Sequence, residues 1–406
     1  MATTGVPGAR AILGFDPSDP AFRADPYAAY RRIAEAGTLT RTEAGLWVTA
    51  SYGLCESVLR DHRFGHRPEG GGWRRASRPS FLTMDPPDHT RLRRLVGRAF
   101  TPRLVERLRP RVEEVVDGLL ADAAGGPFDL VTGLAHPLPV IIISELLGVP
   151  ARDRDRFRGW SDALARGLDP DFLLPPDDLA RRDEARAEFG AYFRELAALR
   201  RDDPRDDLLT ALTASYDGDA LTEAELLATC VLLLVAGHET TVNLIGNGAL
   251  ALLRNPDQLA WFRAHPDAAS VAVEELLRYD PPVQFTVRAA LEDVELAGTP
   301  IRTGEIVLLL TGAANRDPAA FPDRPDDLDV TRYANAETAR HLAFGLGIHY
   351  CLGAPLARLE GGVALRELFA RDVVPAEGPG GLDEPSYRDN IVLRGLAGLP
   401  LLVAPA

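Results

Sequence analysis

Lysine is absent from this chain: all 45 of its basic residues are arginine. With Ala, Arg, Gly and Pro abundant, that reflects a biased coding composition more than a mechanism. Cysteine is nearly absent as well. Three cysteines cannot build a disulfide framework, which fits a reducing compartment. Positive charge is in short supply too. A formal net charge of −14 excludes general nucleic-acid binding, because neutralising phosphates needs a basic surface. Met1 to Asp16 holds no apolar run with a basic flank, so neither a signal peptide nor a membrane anchor is expected, and the protein is expected in the cytoplasm. No linker tract, charge block or fixed-period repeat divides the 406 residues, and 46% apolar content can bury a large core. The expectation is one domain over 1–406 with a tail of about 20 residues, acting as a monomer.

Helical periodicity marks Tyr27–Glu35, Arg91–Ala99, Leu104–Ala123, Leu138–Leu147, Leu179–Leu199, Leu221–Leu253, Pro256–Ala264, Ala268–Arg278 and Pro355–Phe369. Strand-like stretches are fewer: Leu46–Thr49, Phe285–Ala290, Val294–Leu296, Ile306–Leu310 and a broken segment from Ile391 to Val403. The fold class is therefore mainly α with small β-sheets. Thr222 and Glu225 form a capping-box pattern at the head of the longest helix. His238, Glu239, Asn243 and Asn247 interrupt that helix's apolar run and argue against a membrane span.

Chemistry concentrates in Phe344-Gly345-Leu346-Gly347-Ile348-His349-Tyr350-Cys351-Leu352-Gly353. Two glycines permit backbone angles closed to other residues, so that amides can point at the sulfur. The helix-compatible run after Gly353 adds its positive end, and both effects favour a thiolate, a strong metal ligand. An inert buried thiol and half of a zinc site with His349 are the competing readings. Zinc would need two more ligands, and Cys55 and Cys230 lack close-spaced partners.

A second motif, Ala236-Gly237-His238-Glu239-Thr240-Thr241, lies inside the longest helix. Glycine is unfavourable there, and threonine hydroxyls can bond back to the carbonyl four residues earlier, so a local widening is expected. Ala236 and Thr240 share a face.

The ten-residue stretch closely resembles the haem-binding signature of the cytochrome P450 family, and the second motif resembles that family's oxygen-activation motif. The resemblance runs over most of the chain, from Pro26 to Pro400. It implies a P450 fold in which one large helical domain encloses haem b, with Cys351 as axial ligand and Phe344, Gly345, Gly353 and Ala236 beside the cofactor. Thr240 would hydrogen-bond at the oxygen site and Glu239 would pass protons inward. His89, Arg93, Arg288 and His349 match ligands of the haem carboxylates. Glu275 and Arg278 match the family's Glu-x-x-Arg pair, with Arg332 expected as the further arginine and Arg324 as the alternative.

By the same matching, Leu232, Val235, Ala236, Val283, Gln284, Phe285, Val392 and Leu393 would line a mainly hydrophobic substrate pocket. The loops Arg63–Thr83 and Gly167–Asp178 would form its mobile lid. The implied activity is that of a haem-thiolate monooxygenase using O₂ on an organic substrate, free or carrier-bound, in natural-product biosynthesis. The chain has no dinucleotide fingerprint, so electrons would come from outside, and the resemblance points to a ferredoxin and its NAD(P)H-dependent reductase as their source. Arg91, Arg94, Arg98, Arg103 and Arg358 would offer that partner a local basic face. A peroxide-driven peroxygenase and a non-catalytic haem-binding protein are the rivals, and neither explains the Glu239-Thr240 pair.

Overall fold

The computed structural model describes residues 8–66, 80–122, 126–171, 174–214, 221–376, 378 and 380–403. Its organising element is the helix Glu223–Arg254. Thr222 and Glu225 close the capping box at its start, satisfying two amides that the first turn leaves without partners. Thirty-two residues span about 48 Å at 1.5 Å each. By length and apolarity this helix could cross a membrane, yet 67% of its apolar window is buried inside the fold. It is a core helix, surrounded by Pro137–Leu146, Arg154–Ala165, Pro176–Asp202, Ala269–Tyr279 and Ala354–Phe369.

Every helical stretch expected from periodicity is present, with ends displaced by a few residues. Shorter helices at Tyr52–Arg60, Arg154–Ala165 and Leu208–Thr213 went unanticipated. Tyr52–Arg60 buries only Cys55, Val58 and Leu59, too narrow a stripe to stand out as a period. Within the stretch expected as a tail, Ala9–Leu13 is helical, and Phe15 is buried and stacked on Phe22 with centroids 4.7 Å apart.

Among the described residues a five-stranded sheet runs in the order Thr40–Arg41, Trp47–Thr49, Ile306–Leu309, Thr286–Ala290, Phe64–Gly65. Trp47 pairs with Val307 in parallel, and Arg288 with Val307 in antiparallel register. Pro400–Val403 lies between Pro127–Asp129 and Val373–Pro375 in a second sheet, and Val294–Leu296 pairs with Thr299–Ile301. The strand expected over Ile391–Val403 is thus confined to Pro400–Val403. The preceding chain runs against the central helix: a Cβ on Gly395 would lie 1.7 Å from Asn243 Oδ1, so this segment follows the helix surface and forms only isolated bridges.

Candidate active site

The loop before Ala354–Phe369 is shaped by two left-handed glycines, Gly345 at φ 64° and Gly347 at φ 68°. At Gly347 the requirement is also steric, because an added Cβ would sit 2.3 Å from the Leu59 carbonyl oxygen. The Cys351 amide donates to Phe344 O at 2.9 Å and closes the loop. Burial pushes the Cys351 thiol up, while the Gly353 and Ala354 amides and the Arg93 and Arg358 guanidiniums oppose that effect. The amides that reach the sulfur therefore come from the head of the following helix. Arg358 lies 4.6 Å from the Phe344 ring centroid, donates to Tyr350 Oη at 3.1 Å and holds Glu274 Oε2 at 2.8 Å.

His89, Arg93, Arg288 and His349 converge around this loop. The His89 and His349 ring centroids are 4.3 Å apart, and Arg93 Nη2 donates to Tyr350 O at 2.5 Å. Burial, with Arg288, His89 and Arg93 nearby, holds His349 down at about 3. Both ring nitrogens of His89, which is 2% exposed, and Nε2 of His349 have no partner among the described residues. Buried polar atoms are rarely left so. Histidine and arginine donors gathered in one place fit the carboxylates of haem. His66, with its ring 4.7 Å from His349, joins the cluster and was not expected; its only signal in the sequence was being a histidine.

Glu275 and Arg278 are wholly buried and bonded bidentately, Nε to Oε2 and Nη2 to Oε1, both at 2.7 Å. Arg332 Nε reaches both Glu275 oxygens at 3.2 Å. Arg324 takes no part through its side chain, which is 64% exposed; only its carbonyl accepts from Arg332, at 3.2 Å. Arg278 also donates to the carbonyls of Asn315, Pro325 and Asp327, so both charges are fully partnered, as burial demands.

On the central helix, the Thr240 hydroxyl donates to Ala236 O at 2.8 Å and Thr241 back-bonds to Gly237 O at 3.4 Å. The helix nevertheless runs unbroken from Glu223 to Arg254, so the expected widening is not realised as a break. Ala236 is exposed in the middle of this otherwise buried element, with Thr240 half-buried on the same face. Glu239 turns away from them and is 2% exposed, accepting from Arg388 Nη1 at 2.9 Å. Burial pushes its carboxyl up, and Arg388 and His136 counter in part. A cavity of about 290 Å³ opens onto Glu239 and is bordered by His136, Asp162, Arg166 and Arg388.

The family described as Cytochrome P450 matches residues 45–261 and 269–371. This chain belongs to the cytochrome P450 family. It is 45% identical over 402 residues to the cytochrome P450 monooxygenase PikC of Streptomyces venezuelae, covering 94% of this chain and 91% of that protein. The structure of the Bacillus subtilis bacillaene polyketide synthase cytochrome P450 PksS is similar at a TM-score of 0.87 and 37% identity, covering 96% of this chain and all of that one. A P450BioI structure, solved with an acyl carrier protein bearing hexadec-9Z-enoic acid, matches at a TM-score of 0.86 and 35% identity over 95% of this chain and 99% of that one. The chain is accordingly an oxidoreductase, a P450 monooxygenase using haem b with a cysteine thiolate as axial ligand.

Not every position expected in the substrate pocket of this P450 faces one. Gln284, 4% exposed, donates to Pro281 O at 2.8 Å and locks its own turn against Gly312. Phe285 packs edge-on against Phe15 at 5.7 Å, in the cluster that holds Tyr30 and Val48, and Val392 packs against that cluster too. Phe285 and Val392 lie outside the strand Thr286–Ala290, so packing against the N-terminal layer sets where they face, which positional matching does not capture. Val235 is buried in the main core, Leu232 packs at its edge, and Leu393 is buried in a bridge to Val283. Of the two expected lid loops, residues 67–79 and 172–173 lie outside the described residues. Asp169 accepts from the Ile391 and Val392 amides at 3.0 Å, tying the second loop to the C-terminal segment. Two members of the expected basic face are committed within the fold, Arg91 to Glu225 and Arg358 to Glu274, whereas Arg94, Arg98 and Arg103 are exposed.

Proposed function

We propose that this P450 takes two electrons from a ferredoxin and its NAD(P)H-dependent reductase and inserts one oxygen atom into a mainly hydrophobic, polyketide-like substrate, free or carrier-bound. The balance is RH + O₂ + 2e⁻ + 2H⁺ → ROH + H₂O, so each turnover consumes two protons at a buried site. A thiolate on haem iron donates electron density that favours O–O cleavage. In this assignment Cys351 is the axial ligand. His89, Arg93, Arg288 and His349 hold the haem carboxylates, and Phe344, Gly345, Gly353 and Ala236 border the cofactor. Glu275, Arg278 and Arg332 brace the chain leading to the ligand loop. Thr240 offers its hydroxyl oxygen and proton on the Ala236 side of the central helix. Glu239 carries protons from the solvent cavity.

The observation that carries this reading is Glu239 itself: a buried carboxyl, pushed up by burial, on one turn with Thr240 and reached from a solvent cavity. The substrate class rests on the polyketide context named for PksS and the carrier-protein complex named for P450BioI. A cytoplasmic site of action fits three cysteines that are all free thiols. The test supplies NAD(P)H, reductase and ferredoxin to the haem-loaded protein with a panel of macrolactones under ¹⁸O₂. One labelled atom in the product is expected. Oxidation supported by hydrogen peroxide but never by the ferredoxin chain would contradict the proposal.

A further inference from the structure

The wall of the Glu239 cavity carries a constellation that proton delivery does not explain. His136 follows a π-helical turn, Val131–Ala135, and precedes the helix Pro137–Leu146; Asp162 is on Arg154–Ala165, and His238 is on the central helix. One ligand atom from each lies within 4.8 Å of the other two. His136 and His238 are 4% and 0% exposed, whereas the Asp162 side chain is 55% exposed and faces solvent. His136 Nε2 and Asp162 Oδ1 are 2.9 Å apart. Adjacent corners of a tetrahedron with metal–ligand bonds of about 2.0–2.2 Å are about 3.3–3.6 Å apart, so this pair would open by less than about 1 Å. His238 Nδ1 is bonded to Ser161 Oγ at 2.7 Å, the outer-shell contact that fixes tautomer and ring plane in metal-bound histidines, so coordination would use Nε2.

We propose that His136, Asp162 and His238 form a binding site for a divalent transition-metal ion of the zinc class, at the solvent edge of the cavity that opens onto Glu239. Two imidazoles and a carboxylate suit Zn²⁺ and its first-row neighbours, and cavity water completes the coordination. The ligands come from three packed elements, so little order is lost on binding. The nearby cations do not oppose the ion strongly, because Arg388 is paired with Glu239, and Arg166 with Asp169 and Asp178 at 3.0 and 3.1 Å. His238 Nδ1 lies 3.8 Å from Glu239 Oε1, which places the ion beside the route from solvent to that carboxyl.

The experiment is equilibrium dialysis of the haem-loaded, full-length protein against Zn²⁺ alone, with bound metal counted per chain. It reads binding and not turnover, so its outcome is separate from that of the monooxygenase assay. One tight site per chain is expected, with an anomalous zinc signal between His136 and His238 in crystals. Ser161→Ala should weaken it about 10–100-fold, the usual cost of losing an outer-shell partner, and Asp162→Asn or His136→Ala by more. Asp162 is half-exposed, so Asp162→Asn keeps the test intact should His136→Ala fail to fold. Equal zinc uptake by wild type and Asp162→Asn, or no tight site in the wild type, would overturn the proposal.

Discussion

Around Cys351 the chain is held by many contacts at once, whereas around Glu239 one ion pair joins positions 149 residues apart. The cysteine loop is closed by its own amide and braced by Arg358 and Glu274, next in the chain to Glu275 of the buried Glu275–Arg278–Arg332 network. Glu239 has Arg388 and an open cavity of about 290 Å³. The difference matches the two tasks proposed for Cys351 and Glu239. A ligand must be kept in one geometry, so its support is redundant; a proton carrier must exchange with solvent, so its support is sparse.

If that contrast is right, damage near the cysteine should appear as lost stability and damage near Glu239 as lost product. The largest effect is expected for Glu275→Ala. Removing one partner of a buried ion pair costs about 3–5 kcal/mol, a large part of the ~5–15 kcal/mol typical of folded proteins. Urea unfolding should show a midpoint shifted far down, with haem lost early. Thr240→Ala should instead leave the midpoint and haem content nearly unchanged while product formation falls about 10²–10⁴-fold and electrons divert to hydrogen peroxide. An equal loss of stability in both variants would erase the contrast.

A smaller effect sharpens the Cys351 half of the comparison. Burial pushes Glu274 up, but hydrogen bonds from Arg358 and His341 prevail and hold it at about 2, below the ordinary 4.5. A depressed carboxyl stabilises the fold above its unfolded value, and that stability disappears as pH falls toward the folded one. Glu274→Gln should therefore cost at most about 3 kcal/mol at neutral pH, and the gap to wild type should close between about pH 4.5 and pH 2. A gap independent of pH would show that the carboxylate charge contributes nothing. The smallest effect is expected for Arg94→Glu with Arg98→Glu, which should slow reduction by ferredoxin without changing substrate affinity. Salt should slow the wild type likewise, screening over about 10 Å at 0.1 M. Arg93 is the internal control, since its loss should first weaken haem retention.

What the sequence revealed follows the same division. The glycines at 345 and 347, the Glu275–Arg278 spacing and the Thr222–Glu225 cap act over a few residues and leave local patterns. The guanidinium of Arg332 reaches Glu275, while the Arg324 side chain stays exposed. Arg388, His136 and Asp162 left no pattern, because tertiary packing alone brings them to Glu239. Gln284 and Phe285 show a related failure. Their positions match a pocket, but which side of the chain each side chain takes is set by the turn at Pro281 and by the N-terminal layer that includes Phe15.

The assignment of Cys351 as the haem ligand is tested most directly by the reduced carbon monoxide spectrum of Cys351→Ala. Cys230 and Cys55 are fully buried thiols, and burial pushes Cys230 up to about 12 and Cys55 higher still, with none of the amides and guanidiniums that oppose this effect at Cys351. Wild type, Cys55→Ala and Cys230→Ala should all show the thiolate-type Soret band, and Cys351→Ala should lack it. Retention of that band by Cys351→Ala would contradict the account.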